Sequence, residues 1–541
     1  MLSRMARRPG WLKPGVAGSM SRRSCMLRPR TLTGVWHRRL SLALLFALLI
    51  PLIAQPGAEA QDGTGGPAVS DEFYAPPACS GAGSNGLVVY QTLNFERTSP
   101  NRGLVVADGS GDRQRVIPLD GVPVRTIPTS YPGRLIVLTS DDDGEVNRIE
   151  VIDARRGFRY PLDIPVDQIA ALNYPTPATQ TSAGSRYIVL SDVPQRAAWL
   201  IDLNDGVATD LLAIARDRHD VDAVSLVSAA VSYDDRHVLL VTDQSALIIP
   251  TANPAGDRLV GDPAQLSGFH FLADDDSPLV YLQPLENGNT GIVLYNTDRY
   301  APRQIAEVSD LISATPLPNG DALILATPGS LDLIELRYLA TTHIAEVEGN
   351  PGTVLMAPSG TRLAYEVASD EGMAWRFVNL RNGETQDLPG LDGLFPIAPA
   401  DGLRWFVFGA TVIVAQNQGG LTYVSLDMER GITTPLLTTV DGVNYLPPTV
   451  TPGNGRFALI PSIIGTRQNY DVVDNRTGAT APLLDSRAVS ATLSPDGCWA
   501  AVARVMGARA DRNFRIFLVP LDGRSELVEG DLGISPVWLR A

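Results

Sequence analysis

VSATLSPDGCWAAVARVMGARADRNFRIFLVPLDGRSELV, residues 489–528, decides how the rest of the chain is read. An apolar strand runs into Ser494-Pro495-Asp496-Gly497, and a second strand, CWAAVARV, leaves it. After a loop comes FRIFLVPL, then Asp522-Gly523 and a short fourth strand, SELV. Both turns have the chemistry of tight reversals. Proline presets φ, aspartate hydrogen-bonds locally, and glycine takes positive φ at little cost. A strand of four to eight alternating or wholly apolar residues between such turns reads as one member of an antiparallel meander.

The same unit recurs toward the N-terminus. Its first turn returns as Tyr131-Pro132-Gly133, Ser232-Tyr233-Asp234-Asp235, Leu317-Pro318-Asn319-Gly320, Ala357-Pro358-Ser359-Gly360 and Thr451-Pro452-Gly453-Asn454-Gly455. Its second turn returns as VIDARRG (151–157), LIDLNDG (200–206), FVNLRNG (377–383) and VVDNRTG (472–478). Second strands are expected near 86, 134, 187, 237, 279, 322, 362, 404, 456 and 498, about ten units at the ~40–50 residues of a four-stranded blade. The 404 unit is the least regular, because WFVFGATVIVAQ is too long for one strand. No stretch after residue 60 keeps a 3.6-residue apolar period.

These turns and strands resemble the WD40-like repeats of TolB-type propellers, most specifically at 494–497. The resemblance covers roughly residues 80–541. It implies an all-β fold, a β-propeller of four-stranded antiparallel blades, and says little about activity. One ring or two stacked smaller rings both accommodate the repeats. The first unit lacks an inner strand, and Ile534-Ser535-Pro536-Val537-Trp538-Leu539 is a spare one without a following turn. It is expected to pair beside GLVVYQT (86–92) and close the ring, removing an open edge.

Charge divides the chain. Residues 1–60 hold nine arginines, Lys13 and one acid, Glu59, leaving 34 arginines against 58 acids in residues 61–541, a formal charge of −24. Nucleic acid is a poor partner for that surface. Lys13 is the only lysine, so Schiff-base and phosphate-loop lysine chemistry is excluded from the remainder. The apolar run Leu40 to Ala54 follows His37-Arg38-Arg39 and precedes Ala58-Glu59-Ala60, the pattern of a cleaved signal peptide. The run is about 15 residues, short of the ~20 of a membrane span. The expectation is a signal peptide with a basic extension (1–60), a flexible mature N-terminus (61–79) and the propeller (80–541). The product is secreted or periplasmic and meets the membrane only during export. Cys79 and Cys498 are then the only cysteines after the signal and form the expected disulfide across the ring seam, with two buried unpaired thiols as the alternative.

In such a meander the loop between strands two and three and the link to the next blade emerge at one end. Acids gather in these segments: Asp141, Asp143 and Glu145 in DDDGE; Asp217, His219, Asp220 and Asp222 in DRHDVD; and Asp370-Glu371. Asp141, Asp143 and Glu145 are the candidate metal ligands, with calcium the one cofactor their oxygens suit. Asp217, His219, Asp220, Asp222, Asp370 and Glu371 are the candidate binding residues. Catalytic patterns are thin: there is no Gly-x-Ser-x-Gly elbow, and His237, His270 and His343 fall in strand patterns expected to pack. Trp199, Trp375, Trp405 and Trp499 read as packing residues, and Asn475-Arg476-Thr477 reads as a repeat turn that happens to match a glycosylation sequon. The leading expectation is a non-catalytic extracytoplasmic propeller binding proteins, peptides or envelope glycans on its acidic loop face. The alternative is a metal-assisted hydrolase or lyase with carboxylates at the channel mouth.

Overall fold

The computed structural model describes residues 84–92 and most of 102–540; residues 1–83, 220–223, 370–371, 397–410 and several shorter segments lie outside the description. It is an all-β propeller. Second strands open at Ser84, Arg134, Tyr187, His237, Leu279, Ala322, Arg362, Phe457 and Trp499, each within two residues of expectation. The remaining one, expected near 404, opens at Thr411.

Eight sheets of four or five strands follow one another along the chain: 122–161, 176–210, 226–261, 267–308, 313–346, 351–387, 395–438 and 443–482. The ninth sheet has seven strands and joins the first three strands to the last four. About ten separate units is therefore corrected: the described residues form nine hydrogen-bonded sheets. The physical reason is the terminal strand Val528–Arg540, thirteen residues long. SELV and ISPVWL were expected as two strands, but the chain stays extended between them. Residues 528–532 pair with Asn513–Pro520. Residues 533–540 pair with Ser84–Thr92, with Val88 opposite Trp538 and Leu87 opposite Leu539. The closure expected from the sequence is present.

The core lies between successive sheets. Ile136, Leu138 and Ile149 of one sheet meet Trp199, Ile201 and Leu190 of the next. Val238, Leu240 and Ile249 meet Ala198 and Leu200. Across the seam, Val88 and Tyr90 pack on Trp499, Ala501, Ile516 and Trp538. Second and third strands carry β-branched residues on both faces because both faces are covered, each full burial contributing about 1.5–3 kcal/mol. Trp199, Trp375 and Trp499 are buried core residues, as expected. Trp405 lies outside the described residues.

Two links contain short helices, which the sequence reading did not anticipate: α1, Val166–Ala171, and α2, Leu211–His219. Leu211, Leu212 and Ala215 of α2 are buried against the flanking sheets. Among the described residues, no helix is long and apolar enough to cross a membrane.

Candidate binding face

Every sheet has two ends. The turn end carries the reversals between strands one and two and between three and four. The loop end carries the two–three loops and the links onward. The leading strand Ser267–Phe271 approaches its counterpart Ser313–Pro316 in the next sheet.

At the loop end of sheet 122–161, Asp141 folds its own hairpin. Its carboxylate accepts the backbone N–H of Asp143 and of Glu145, both at 3.0 Å, and the Asn147 amide at 3.2 Å. Gly144 takes φ +88° at the tip, with open space around it. Asp142 reaches back to Arg102 of the preceding sheet, while Asp143 and Glu145 stand exposed. This is a local turn built by carboxylate capping. Among the described residues no group of three ligating side chains could hold a metal ion.

Behind the hairpin lies a network that composition alone did not reveal. Glu150 is 1% exposed and receives Arg159 Nε at 2.8 Å and a terminal nitrogen at 2.7 Å. Arg159 also donates to Asp120 at 2.7 Å, and Arg148 joins it there. The Arg159 hydrogen bond, reinforced by its charge, holds the Asp120 carboxyl below the usual carboxylate range. These charges fasten two sheets and are committed to each other.

The other sequence-selected residues do not join this hairpin. Asp217 and His219 lie on α2, not in a loop. Arg218 between them pairs with Asp257, which immediately precedes the fourth strand of sheet 226–261 at the turn end. That contact carries the end of α2 away from the loop end. Asp220, Asp222, Asp370, Glu371 and Cys79 lie outside the described residues. Cys498 is buried and packs with Val88, Tyr90 and Trp538, and its N–H bonds Asp496 at 3.0 Å. Asn475 is 3% exposed, in keeping with the repeat-turn reading.

Two histidines depart from expectation. His343 is half exposed on an outer strand, its Nδ1 3.0 Å from Asp332 and its Nε2 3.5 Å from Glu346. Ser330 donates to the other Asp332 oxygen at 2.7 Å. The ring nitrogens face different carboxylates, so the three groups do not converge on one point. Ser330 bonds the carboxylate instead of Nε2, the reverse of a nucleophile–base arrangement. His270 is exposed on a leading strand. His237 is buried as expected.

No protein-family model matches the chain, and no curated protein matches it. Among solved structures, TolB from Acinetobacter baumannii aligns at 14% identity over 76% of this chain and 81% of that one, with TM-score 0.25. The tricorn protease aligns at 12% identity over 84% of this chain and 48% of that one, with TM-score 0.32. An oligogalacturonate lyase in complex with manganese aligns at 12% identity over 57% of this chain and 84% of that one, with TM-score 0.32. The shared feature is the propeller fold.

Proposed function

We propose that this chain is an exported, non-catalytic binding or scaffolding propeller that presents its loop end to a protein, peptide or envelope glycan. One observation carries the reading. Asp153, Asp202 and Asp235 at the turn end are engaged by arginines or backbone N–H groups, whereas Asp143 and Glu145 at the loop end are exposed on a hairpin that Asp141 shapes. Exposed like charges on a rigid support steer a basic partner and keep its approach salt-dependent.

The reading takes the seven-stranded sheet as the unit that closes the ring through the terminal strand. The reading rests that closure on Val88 and Tyr90 packing with Trp499 and Ala501. It also takes Cys79 to bridge Cys498, because Cys498 sits against the strand that Cys79 precedes. Export rests on the basic lead, the apolar run and Ala58-Glu59-Ala60.

The test compares wild type with Asp142→Asn/Asp143→Asn/Glu145→Gln as bait in envelope extract at low and high salt. A partner held at low salt, released at high salt and lost by the triple variant is expected. Identical capture by both proteins, or turnover of a small substrate that His343→Gln abolishes, would reverse the reading.

A further inference from the structure

The leading strands share an irregularity at the loop end. In sheet 226–261, Leu226 pairs with Thr242 but Ser228 with Val241, so Val227 is an extra residue. In sheet 267–308, Ser267 pairs with Leu282 and His270 with Val280, which inserts one residue beside Phe269. In sheet 313–346, Ile312 donates its N–H to the Ala326 carbonyl while Ser313 is also paired with Ala326. The two register shifts, and the doubled use of Ala326, sit at the loop end, where an added residue re-aims a side chain out of the ladder. Val227 is 57% exposed and Ile312 is 41% exposed, and Phe269 is partly buried between them in sequence. Three consecutive sheets thus each carry an apolar side chain near the loop-end start of the leading strand.

A carboxylate accompanies each. Asp243 is exposed and accepts the N–H of Ser225, two residues before Val227. Asp262 is exposed in the link that leads to Phe269. Asp310 is exposed, at φ +51°, two residues before Ile312.

We propose that this arc binds an extended peptide in which apolar residues alternate with lysine or arginine. Apolar side chains rest on Val227, Phe269 and Ile312, and the cations meet Asp243, Asp262 and Asp310. Alternation is required because an extended chain turns successive side chains to opposite sides. The proposal rests on the binding reading above and supplies it with a partner class and a place.

The probe is a fluorescein-labelled nonapeptide alternating valine with lysine, titrated by anisotropy against the full protein. Controls alternate valine with glutamate and serine with lysine. Each buried apolar side chain is worth roughly tenfold in affinity. Val227→Ser/Ile312→Ser is therefore expected to weaken binding at least tenfold with an unchanged melting temperature. Asp243→Asn/Asp310→Asn should weaken it about threefold and flatten its salt dependence. Equal binding of the valine–glutamate peptide, or an unchanged Kd in Val227→Ser/Ile312→Ser, overturns the proposal. So does sedimentation showing that these residues mediate a dimer. If the arc variants still capture the salt-sensitive envelope partner while the hairpin variant does not, the arc fails and the binding reading stands.

Discussion

The two ends of the propeller use the same residue type for opposite purposes. At the turn end, Asp153 is 5% exposed, ion-paired with Arg134 at 2.6 Å, and accepts the Arg156 N–H at 2.9 Å. Asp202 accepts Arg186 Nε at 2.8 Å and the Asn204 N–H at 2.9 Å. Asp235 crosses to the neighbouring sheet and accepts the Arg186 N–H at 2.8 Å. At the loop end, Asp142 has 78% of its side chain exposed, and Asp143 and Glu145 are exposed too. Buried aspartates complete backbone turns and satisfy donors that would otherwise be stranded. Exposed ones add field and little stability. Acidity in the sequence thus includes carboxylates built into turns, such as Asp153, and carboxylates left on the surface, such as Asp143.

The largest expected effect tests what both ends share. Ending the chain at Leu532 removes the partner of Ser84–Thr92 and exposes buried side chains at about 1.5–3 kcal/mol each. Urea unfolding should lose its single cooperative transition, and limited proteolysis should cut both ends alike. Persistence of one sharp transition would show that the seam is dispensable. Next, Asp153→Asn leaves Arg134 buried without its counter-charge and should cost about 3–5 kcal/mol in the same assay. Asp202→Asn should cost less, because Arg186 is 39% exposed.

The third effect is pH-dependent. His237 is buried against Tyr300 at the turn end, and burial pushes its ring below the usual histidine range, with Asp234 and Asp298 opposing and Arg236 reinforcing. The unfolded chain therefore takes up the proton first, and stability falls as pH drops below the ordinary value of 6.5 through the lower folded one. Calorimetry between pH 7 and 5 should show a falling melting temperature, and His237→Phe should remove part of the fall. A profile unchanged by the substitution would sink this assignment. The smallest effect sharpens the contrast: Asp142→Asn, Asp143→Asn and Glu145→Gln should each change stability by less than about 0.5 kcal/mol. A cost comparable to that of Asp153→Asn would erase the distinction between the ends.

Strand positions were legible because each strand is bracketed by turn residues whose φ preferences are local. The closing pairing of Leu87 with Leu539 was legible too, as an inner strand missing at one terminus and spare at the other. The merging of two sheets was not, since nothing in Gly530–Gly533 distinguishes an extended passage from a turn. Helix α2 escaped because nine residues are too few for a helical period to stand out from LLAIARDRH. His343 was read as packed because alternation assigns faces only where one face is covered. On its strand, Ala340–Glu346, both faces are exposed over the first four residues. The bulge at Val227 is equally invisible: one inserted residue changes no residue type, only the direction of a side chain. The candidate site was therefore legible in its charge and illegible in its geometry.

The terminal strand also sets an order of events. Val88 finds its partner Trp538 about 450 residues later, so the first strand waits for nearly the entire chain to emerge. Nascent chain can stack its middle sheets early, but the ring stays ajar until the last dozen residues arrive. A protein joined in this way acquires its resistance to unravelling at a single late moment, and a premature stop near the end would forfeit it entirely.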